Sequence, residues 1–184
     1  MVDSLIANVN PEDLRVIVRG MIATTPPSAA SAFTAAARYR LVHVNATALP
    51  SPASLFARRN PDGMAVPTVE LQTTLARVRA LYGCGMGFAS LRVLAGVVRA
   101  TVGLRWKVGS EIEDLLASVD SDICQGIQSS REEMEGGRVS DLETARDAVN
   151  ELRSAVKESL QDVEIWGGDY PFERGEVSLD FWKM

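Results

Sequence analysis

The helical spacing of apolar residues between positions 112 and 163 constrains the fold of this chain more than any other feature of the sequence. Apolar side chains recur every three or four residues on both sides of Gly136-Gly137, as in two long amphipathic helices joined by a turn. Capping-box patterns begin at Ser110 and at Ser140, immediately before the two periodic stretches. We therefore expect these two helices to pair as an antiparallel hairpin in a mainly helical fold.

Two further helices are predicted before residue 45. Asn10-Pro11-Glu12-Asp13 combines a capping side chain, a proline for the first helical position and acids for the positive helix end. The apolar residues between Leu14 and Ile22 follow at helical spacing and predict one buried stripe. After Pro26-Pro27, a second helix is expected from about Ser28 to Val44, with Phe33 on its inner side.

The middle of the chain carries mixed signals. Thr68 begins an amphipathic helix, which the glycine-rich run 83–87 ends. This run fits neither the dinucleotide fingerprint nor the P-loop, so we interpret it as a flexible turn between helices. From Val98 to Val108, apolar and polar residues alternate, which predicts a β-strand at least in the second half of this stretch.

Composition restricts the chemistry that the chain can carry. The formal charge of −5 argues against a uniformly basic surface, although a local basic strip remains compatible with it. Cys84 and Cys124 make neither a disulfide framework nor a zinc site, and we expect both to be reduced in an intracellular protein. With His43 as the single histidine, a His-rich metal site or a histidine-based triad has little to build on. We expect no enzymatic activity, no cofactor, no signal peptide and no membrane span.

The C-terminal segment 166–184 contains five of the eleven aromatic residues. A disordered tail does not concentrate aromatic side chains in this way. We expect this segment to pack on the domain or on a neighbouring molecule. The five residues are Trp166, Tyr170, Phe172, Phe181 and Trp182.

Four local features follow one another in an order that resembles the coat proteins of rod-shaped, positive-strand RNA plant viruses, the tobamoviruses and their relatives. They are Asn10-Pro11-x-x-Leu14, Pro50-Ser51-Pro52 leading into Arg59-Asn60-Pro61-Asp62, Leu115-Leu116-x-x-x-Asp120 with Leu152-Arg153-Ser154-Ala155 on the next helix, and Phe172-Glu173 followed by Leu179 and Trp182. The resemblance covers about the first third and the last 80 residues. Asn60 stands where the family usually has phenylalanine, and the final Leu–Trp spacing is one residue longer.

The resemblance implies an all-α fold: an antiparallel four-helix bundle of the rod-shaped virus coat type, with a small β element. Residues 1–184 would form one coat domain with an inserted helical segment at about 64–104 and the aromatic C-terminal segment 166–184. The apolar character of the insertion suggests additional contacts between subunits. The implied function is a capsid protein that self-assembles into a helical rod around single-stranded genomic RNA, located in the virion and in the host cell cytoplasm. Its partners would be further copies of itself and RNA.

The resemblance also implies two structural ion pairs. Asp120 and Arg153 match a pair that orients the two long helices, and Arg59 and Glu173 match a pair near the outer radius of the rod. If the first pair is buried, removing one partner costs about 3–5 kcal/mol. The alternative for each pair is an exposed contact that contributes little.

The RNA contacts are implied less specifically. Asp147 matches an acid near the RNA ribose, Arg146 lies beside it, and Arg131 and Arg138 flank the glycine turn and could face the same channel. The arginine-rich segment that follows the matching aspartate in tobamoviruses is absent, since Ser121-Asp122-Ile123-Cys124 stands there. Such contacts would be directed at the backbone and would be non-specific.

Three acids near the same turn, Glu132, Glu133 and Glu135, are candidates for the repelling carboxylates that the family uses as a disassembly switch. The alternative is that they are ordinary solvated acids. A different class of function also stays open: a cellular helical adaptor, whose long helices and aromatic tail would dock partner proteins without RNA. Assembly in the presence of RNA distinguishes the two classes.

Overall fold

The computed structural model describes residues 2–58 and 63–184 and is predominantly helical, with one small antiparallel sheet. In chain order the elements are α1 (Val2–Asn8), α2 (Pro11–Thr24), α3 (Pro27–His43), α4 (Pro52–Leu55), β1 (Phe56–Arg58), β2 (Ala65–Pro67), α5 (Val69–Gly83), α6 (Gly87–Arg99), α7 (Glu111–Glu135), α8 (Leu142–Trp166) and α9 (Glu173–Asp180). In the sheet, Ala57 lies opposite Val66.

Helix α6 lies at the centre of the packing, against α5, α7 and α8. It is apolar around most of its circumference, and such a helix needs neighbours on several sides. Helices α7 and α8 therefore pack on α6 rather than extensively on each other, and the expected direct hairpin of the two long helices is wrong. The buried apolar side chains of α6 are Phe88, Leu91, Val93, Leu94, Ala95, Val97 and Val98.

The segment expected as an insertion, 64–104, thus supplies the middle of the core. The apolar residues of α6 are buried inside the chain and cannot contact neighbouring subunits, so the expected contacts of 64–104 between subunits stay a prediction for its other residues alone. Helix α5 agrees with the sequence-based expectation: Thr68 caps it by accepting a hydrogen bond from the N–H of Leu71. The glycine-rich run 83–87 is a turn between α5 and α6, as predicted.

Two glycines allow α6 to approach α7 closely. A Cβ atom on Gly87 would lie 2.6 Å from the carbonyl carbon of Ser129 and would overlap the backbone nitrogen of Ser130. One turn earlier on α7, a Cβ atom on Gly126 would lie 3.0 Å from the side chain of Leu91. At Gly87 the two backbones therefore meet with no space for a side chain.

The predicted strand at 98–108 is wrong. Helix α6 runs to Arg99, and the residues after it form a turn followed by an irregular segment. The alternation has another cause: Leu104 and Trp106 are buried in the core, whereas Arg105 pairs with Asp162 of α8 at 2.9 Å. The segment is packed against a helix and therefore needs no strand partner, although the C=O of Arg105 accepts one hydrogen bond from β2.

Helices α1, α2 and α3 contain no buried residue. The buried stripes expected on α2 and α3 are therefore absent from the isolated chain. Ile17, Met21 and Phe33 are 45 %, 51 % and 46 % exposed, respectively. Helix α2 packs on α3, and α3 makes a small contact with α5. We refer to residues 2–44 as the N-terminal arm.

The C-terminal segment 166–184 packs on the body of the protein, as its aromatic content predicted. Phe172 and Trp182 are buried, and Trp166 lies edge-on to Trp106 with ring centroids 5.1 Å apart. Phe181 is the exception, with 82 % of its surface exposed. Among residues 2–58 and 63–184, no helix has the length and apolarity to cross a membrane.

The close contact of α6 and α7 is tested by Gly87→Ala, with Gly96→Ala in the same helix as its matched control. We expect Gly87→Ala to lower the free energy of unfolding by about 1–3 kcal/mol or more, because the helices must separate to admit the methyl group. A Cβ atom on Gly96 would lie 3.5 Å from Pro50, an ordinary contact. Gly96→Ala should therefore be neutral or stabilising by up to about 1 kcal/mol. Equal stabilities of the two variants in urea unfolding would contradict the close contact.

Candidate nucleic-acid interface

The turn between α5 and α6 is bordered by two arginines from different parts of the chain. Arg38 of α3 donates a hydrogen bond from Nη1 to the carbonyl oxygen of Cys84 at 2.8 Å. The guanidinium of Arg138, from the connection between α7 and α8, lies against Gly85, with Nη2 3.2 Å from the position of a Cβ atom there. Gly85 has φ of +78°, which favours glycine. The turn therefore brings cations from α3 and from the α7–α8 connection to one place.

Arg131 reaches the same neighbourhood from α7 through an aromatic contact. Its guanidinium lies 5.7 Å from the ring centroid of Trp182, within the range of a cation–π interaction. The Trp182 ring in turn lies 5.9 Å from the ring of Phe88, at the start of α6. The aromatic tail thus holds one of the sequence-predicted arginines against the body of the protein.

Glu133 lies beside the start of α6, near Arg38 and Arg138. Its carboxylate accepts a hydrogen bond from the N–H of Phe88 at 3.3 Å, at the positive end of α6. Burial raises the pKa of Glu133 above its ordinary value of 4.5, and the N–H groups of Phe88 and Gly87 and the charges of Arg138 and Arg38 partly oppose this shift. The half-buried carboxylate therefore lies within the electrostatic influence of Arg38 and Arg138.

A cavity of about 210 Å³ opens beside Glu133. It has basic, acidic and hydroxyl side chains in one concave surface, a mixture that suits a polar ligand. Its lining residues are Phe88, Glu133, Arg138, Val139, Ser140, Asp141, Thr144 and Ala145.

The other sequence-predicted RNA residues lie apart from this cavity. Arg146 and Asp147 are exposed on α8 and do not line it. Of the three candidate switch acids, only Glu133 is half-buried. Glu132 is exposed and accepts a hydrogen bond from Gln128, and Glu135 is exposed at the end of α7. The switch role itself stays a prediction, but Glu133 differs from Glu132 and Glu135 because its side chain is half-buried.

The predicted pairing of Asp120 with Arg153 is wrong. The buried Asp120 pairs with Arg174 of α9 at 2.9 Å and accepts a hydrogen bond from the N–H of Gly175 at 2.7 Å. Arg153 instead donates hydrogen bonds to the carbonyl oxygens of Leu179 and Trp182. The reason is that α9 packs mainly on α7, so its own arginine is nearer to Asp120.

The second predicted ion pair is not tested. Arg59 lies outside the described residues, and Glu173 is exposed at the start of α9.

Sequence reasoning missed two features of this region. Arg38 carried no motif, and its place beside the α5–α6 turn depends on how α3 packs.

The second feature is a buried network: Asp122 binds Arg79 at 2.9 Å and accepts a hydrogen bond from the hydroxyl of Tyr82 at 2.9 Å. Burial and then this hydrogen bond raise the pKa of Tyr82 to about 12, so the phenol stays protonated. The sequence carried one indication that Tyr82 is packed inside the protein, since this residue shares a helical face with the apolar residues of α5.

The guanidinium groups of Arg38, Arg131 and Arg138 are suited to binding phosphate groups. In the part of the chain that the structure describes, no group of three or more His, Cys, Asp or Glu side chains is placed to hold a metal ion. No protein-family model, curated protein or solved structure matches this chain.

The environment of Glu133 predicts a pH-dependent stability. Because its folded pKa is above the ordinary value, the native state binds more protons than the unfolded state as pH rises above 4.5, and stability falls over that window. Glu133→Gln keeps the shape and the acceptor for the N–H of Phe88. We expect this variant to be more stable than the original protein at pH 7, with the difference shrinking towards pH 4.5.

Urea unfolding between pH 4.5 and 7 measures this difference. Glu135→Gln, which changes an exposed side chain two residues further on, is the control and should change little. A Glu133→Gln variant that is less stable at pH 7, or a difference that does not vary with pH, would contradict the assignment.

Proposed function

We propose that this chain is a structural coat protein that assembles with copies of itself around single-stranded RNA and has no enzymatic activity. The observation that carries the proposal is the N-terminal arm. Its three helices contain no buried residue, yet α2 has the apolar spacing of a helix that packs on a partner.

The arm needs a covering surface for a physical reason. Helices α1 and α2 have 7 and 14 residues. Isolated helices shorter than about 12–15 residues are marginal in water, and packing of an apolar face supplies most helical stability in proteins. Exposed apolar side chains at Ile17, Met21 and Phe33 are the residues that a partner would cover.

The arginines around the α5–α6 turn support the RNA part of the proposal. Arg38, Arg131 and Arg138 come from three different parts of the chain, and Arg131 is held over the ring of the buried Trp182. A strand of RNA that passes many subunits needs only a few cationic contacts from each, so the net charge of −5 is compatible with this function. Arg146 and Asp147 belong to the proposal as further, separate contacts.

The finer expectations belong to the proposal as well. They are the antiparallel four-helix bundle of the rod-shaped virus coat type, with 64–104 as an inserted segment, and a location in the virion and in the host cell cytoplasm. A helical adaptor is the second candidate, because an uncovered apolar arm would equally fit a partner protein. It differs in requiring neither self-assembly nor RNA.

Negative-stain electron microscopy of the purified protein with single-stranded RNA, scanned across pH, tests the proposal. We expect rods of constant diameter whose RNA is protected from nuclease, because assembly covers both the arm and the nucleic acid. The control is the same protein without RNA. Uniform small particles and fully digested RNA under every condition would contradict the coat function and favour the adaptor.

The arginine cluster gives a quantitative prediction. If Arg131 and Arg138 each contact a phosphate, replacing either by alanine should reduce the slope of log K against log salt for single-stranded RNA by about 0.7. Lys107→Ala is the control, since this exposed lysine precedes the other end of α7, about 35 Å away by helical rise. Unchanged slopes for both arginine variants, measured by fluorescence anisotropy, would place the RNA elsewhere.

A further inference from the structure

Residues 14–58 are basic within an acidic chain. Five of the 19 basic residues and none of the 24 acidic residues lie in this segment, although the chain as a whole carries a formal charge of −5. A stretch that contains arginines and no acids is typical of a surface that contacts a polyanion. The five arginines are Arg15, Arg19, Arg38, Arg40 and Arg58.

The arginines of the body differ from those of α3, because acids of the same chain already neutralise them. Four arginines between residues 79 and 105 each form an ion pair with an acid of α7 or α8, with N–O distances of 2.9–3.7 Å. Within residues 2–58 and 63–184, Arg40 and His43 of α3 form no ion pair. The positive charge of Arg40 therefore remains available to a partner.

Tyr39, Arg40 and His43 lie on one side of α3, and we call these three residues the α3 face. His43 follows Tyr39 by four residues and Arg40 by three, the spacings at which side chains of a helix are neighbours. All three are exposed. The rings of Tyr39 and His43 lie nearly parallel, with an interplanar angle of 9° and centroids 6.5 Å apart.

The ring of Tyr39 is accessible from outside the molecule. A long side chain in a helix leans over the turn that precedes it. Here that turn presents Ala35 and Ala36, which carry only methyl groups, and 78 % of Tyr39 is exposed. Bases of single-stranded RNA stack on tyrosine, histidine or arginine side chains. The α3 face combines these three residue types.

The charge of the α3 face has a simpler partial explanation. Arg40 and His43 lie in the last turn of α3, where cations interact favourably with the helix dipole. This effect does not account for the exposed aromatic pair. Phe181 shows that exposure alone is insufficient: it is 82 % exposed, but it follows Asp180 on an acidic helix that would repel a phosphate backbone.

Arg38 places the α3 face next to the candidate nucleic-acid interface. It precedes Tyr39 in the chain, and its hydrogen bond to the carbonyl oxygen of Cys84 at 2.8 Å attaches the second half of α3 to the α5–α6 turn. Arg138 lies against the same turn. The α3 face therefore adjoins arginines that are suited to binding phosphate.

We propose that a base of single-stranded RNA stacks on the ring of Tyr39 while Arg40 binds an adjoining phosphate. The inference rests on the RNA part of the proposed function and adds a surface for bases to the arginines that hold the backbone. Stacking tolerates any sequence, because every base has an aromatic face. This contact therefore suits a protein that covers RNA without selecting its sequence.

Binding of a fluorescein-labelled single-stranded RNA, measured by anisotropy, and of base-free polyphosphate, measured by calorimetry, tests the proposal. Tyr39→Leu removes the aromatic ring and keeps an apolar side chain that favours a helix. We expect it to weaken RNA binding about fivefold or more, because stacking is lost. It should leave polyphosphate binding unchanged, since polyphosphate has no bases.

Three further variants complete the experiment. Tyr39→Phe keeps the ring and should bind RNA like the original protein. Phe181→Leu is the matched control for losing an exposed ring and should also change nothing. Arg40→Ala should reduce the slope of log K against log salt for the RNA by about 0.7, because one phosphate contact is lost.

The outcomes separate this inference from the proposed function. If the original protein binds no RNA at low salt, the RNA part of the proposed function and the stacking contact are both overturned. If it binds RNA and Tyr39→Leu binds equally well, the contact is overturned and the proposed function stands. If Tyr39→Leu weakens binding of polyphosphate as much as binding of RNA, no base stacks on Tyr39, and the contact is again overturned.

A second copy of the chain is the other partner that a basic, aromatic face would suit. Loss of self-association in Arg40→Glu by light scattering, with RNA binding unchanged in the other α3 variants, would assign the α3 face to a contact between copies and overturn the inference. If circular dichroism shows that Tyr39→Leu has lost helix, Arg40→Ala decides. A salt slope equal to that of the original protein would then overturn the inference.

Discussion

The contact between α6 and α7 at Gly87 is the constraint on which the rest of the structure depends. Because the backbones meet there, the start of α6 is fixed against the last turns of α7. The hydroxyl of Ser129 can then donate to the carbonyl oxygen of Tyr82, and Glu133 can accept from the N–H of Phe88. These contacts fix the position of the α5–α6 turn, and Arg38 and Arg138 pack against this turn.

Two buried aspartates on α7 attach the neighbouring helices by the same kind of interaction. Asp122 binds Arg79 and Tyr82 of α5, and Asp120 binds Arg174 and a backbone N–H of α9. Both carboxylates are buried, whereas the side chains of Arg79 and Arg174 are 45 % and 66 % exposed, so the cations keep part of their hydration. Loss of either arginine would leave a buried charge uncompensated, which is why these pairs specify where α5 and α9 pack.

The sequence predicted helices best where a start signal, a periodic apolar face and a glycine stop coincide, as in α5 and α7. It failed where the same pattern has several structural causes. The alternation at 98–108 reflects side chains packed against α8, not a strand, and the stripe on α2 is not buried by its own chain.

In the candidate site, Arg131 and Arg138 were selected from their position near a turn, but Arg38 was missed because its place depends on a long-range contact. The prediction that Asp120 pairs with an arginine was correct, but the predicted partner, Arg153, was wrong. Only the packing of the helices decides which arginine lies nearer to Asp120.

The distribution of apolar and charged groups links these observations to assembly. The body buries a core of apolar residues around α6, although some apolar side chains on its surface, such as Ile165, Val177 and Phe181, stay exposed. The arm, by contrast, has apolar residues that its own chain does not cover and a small excess of arginine. The apolar side chains of the arm are therefore left without a cover in the single chain. In the proposed assembly, neighbouring copies would cover the apolar side chains of the arm by the same hydrophobic effect that folds the body.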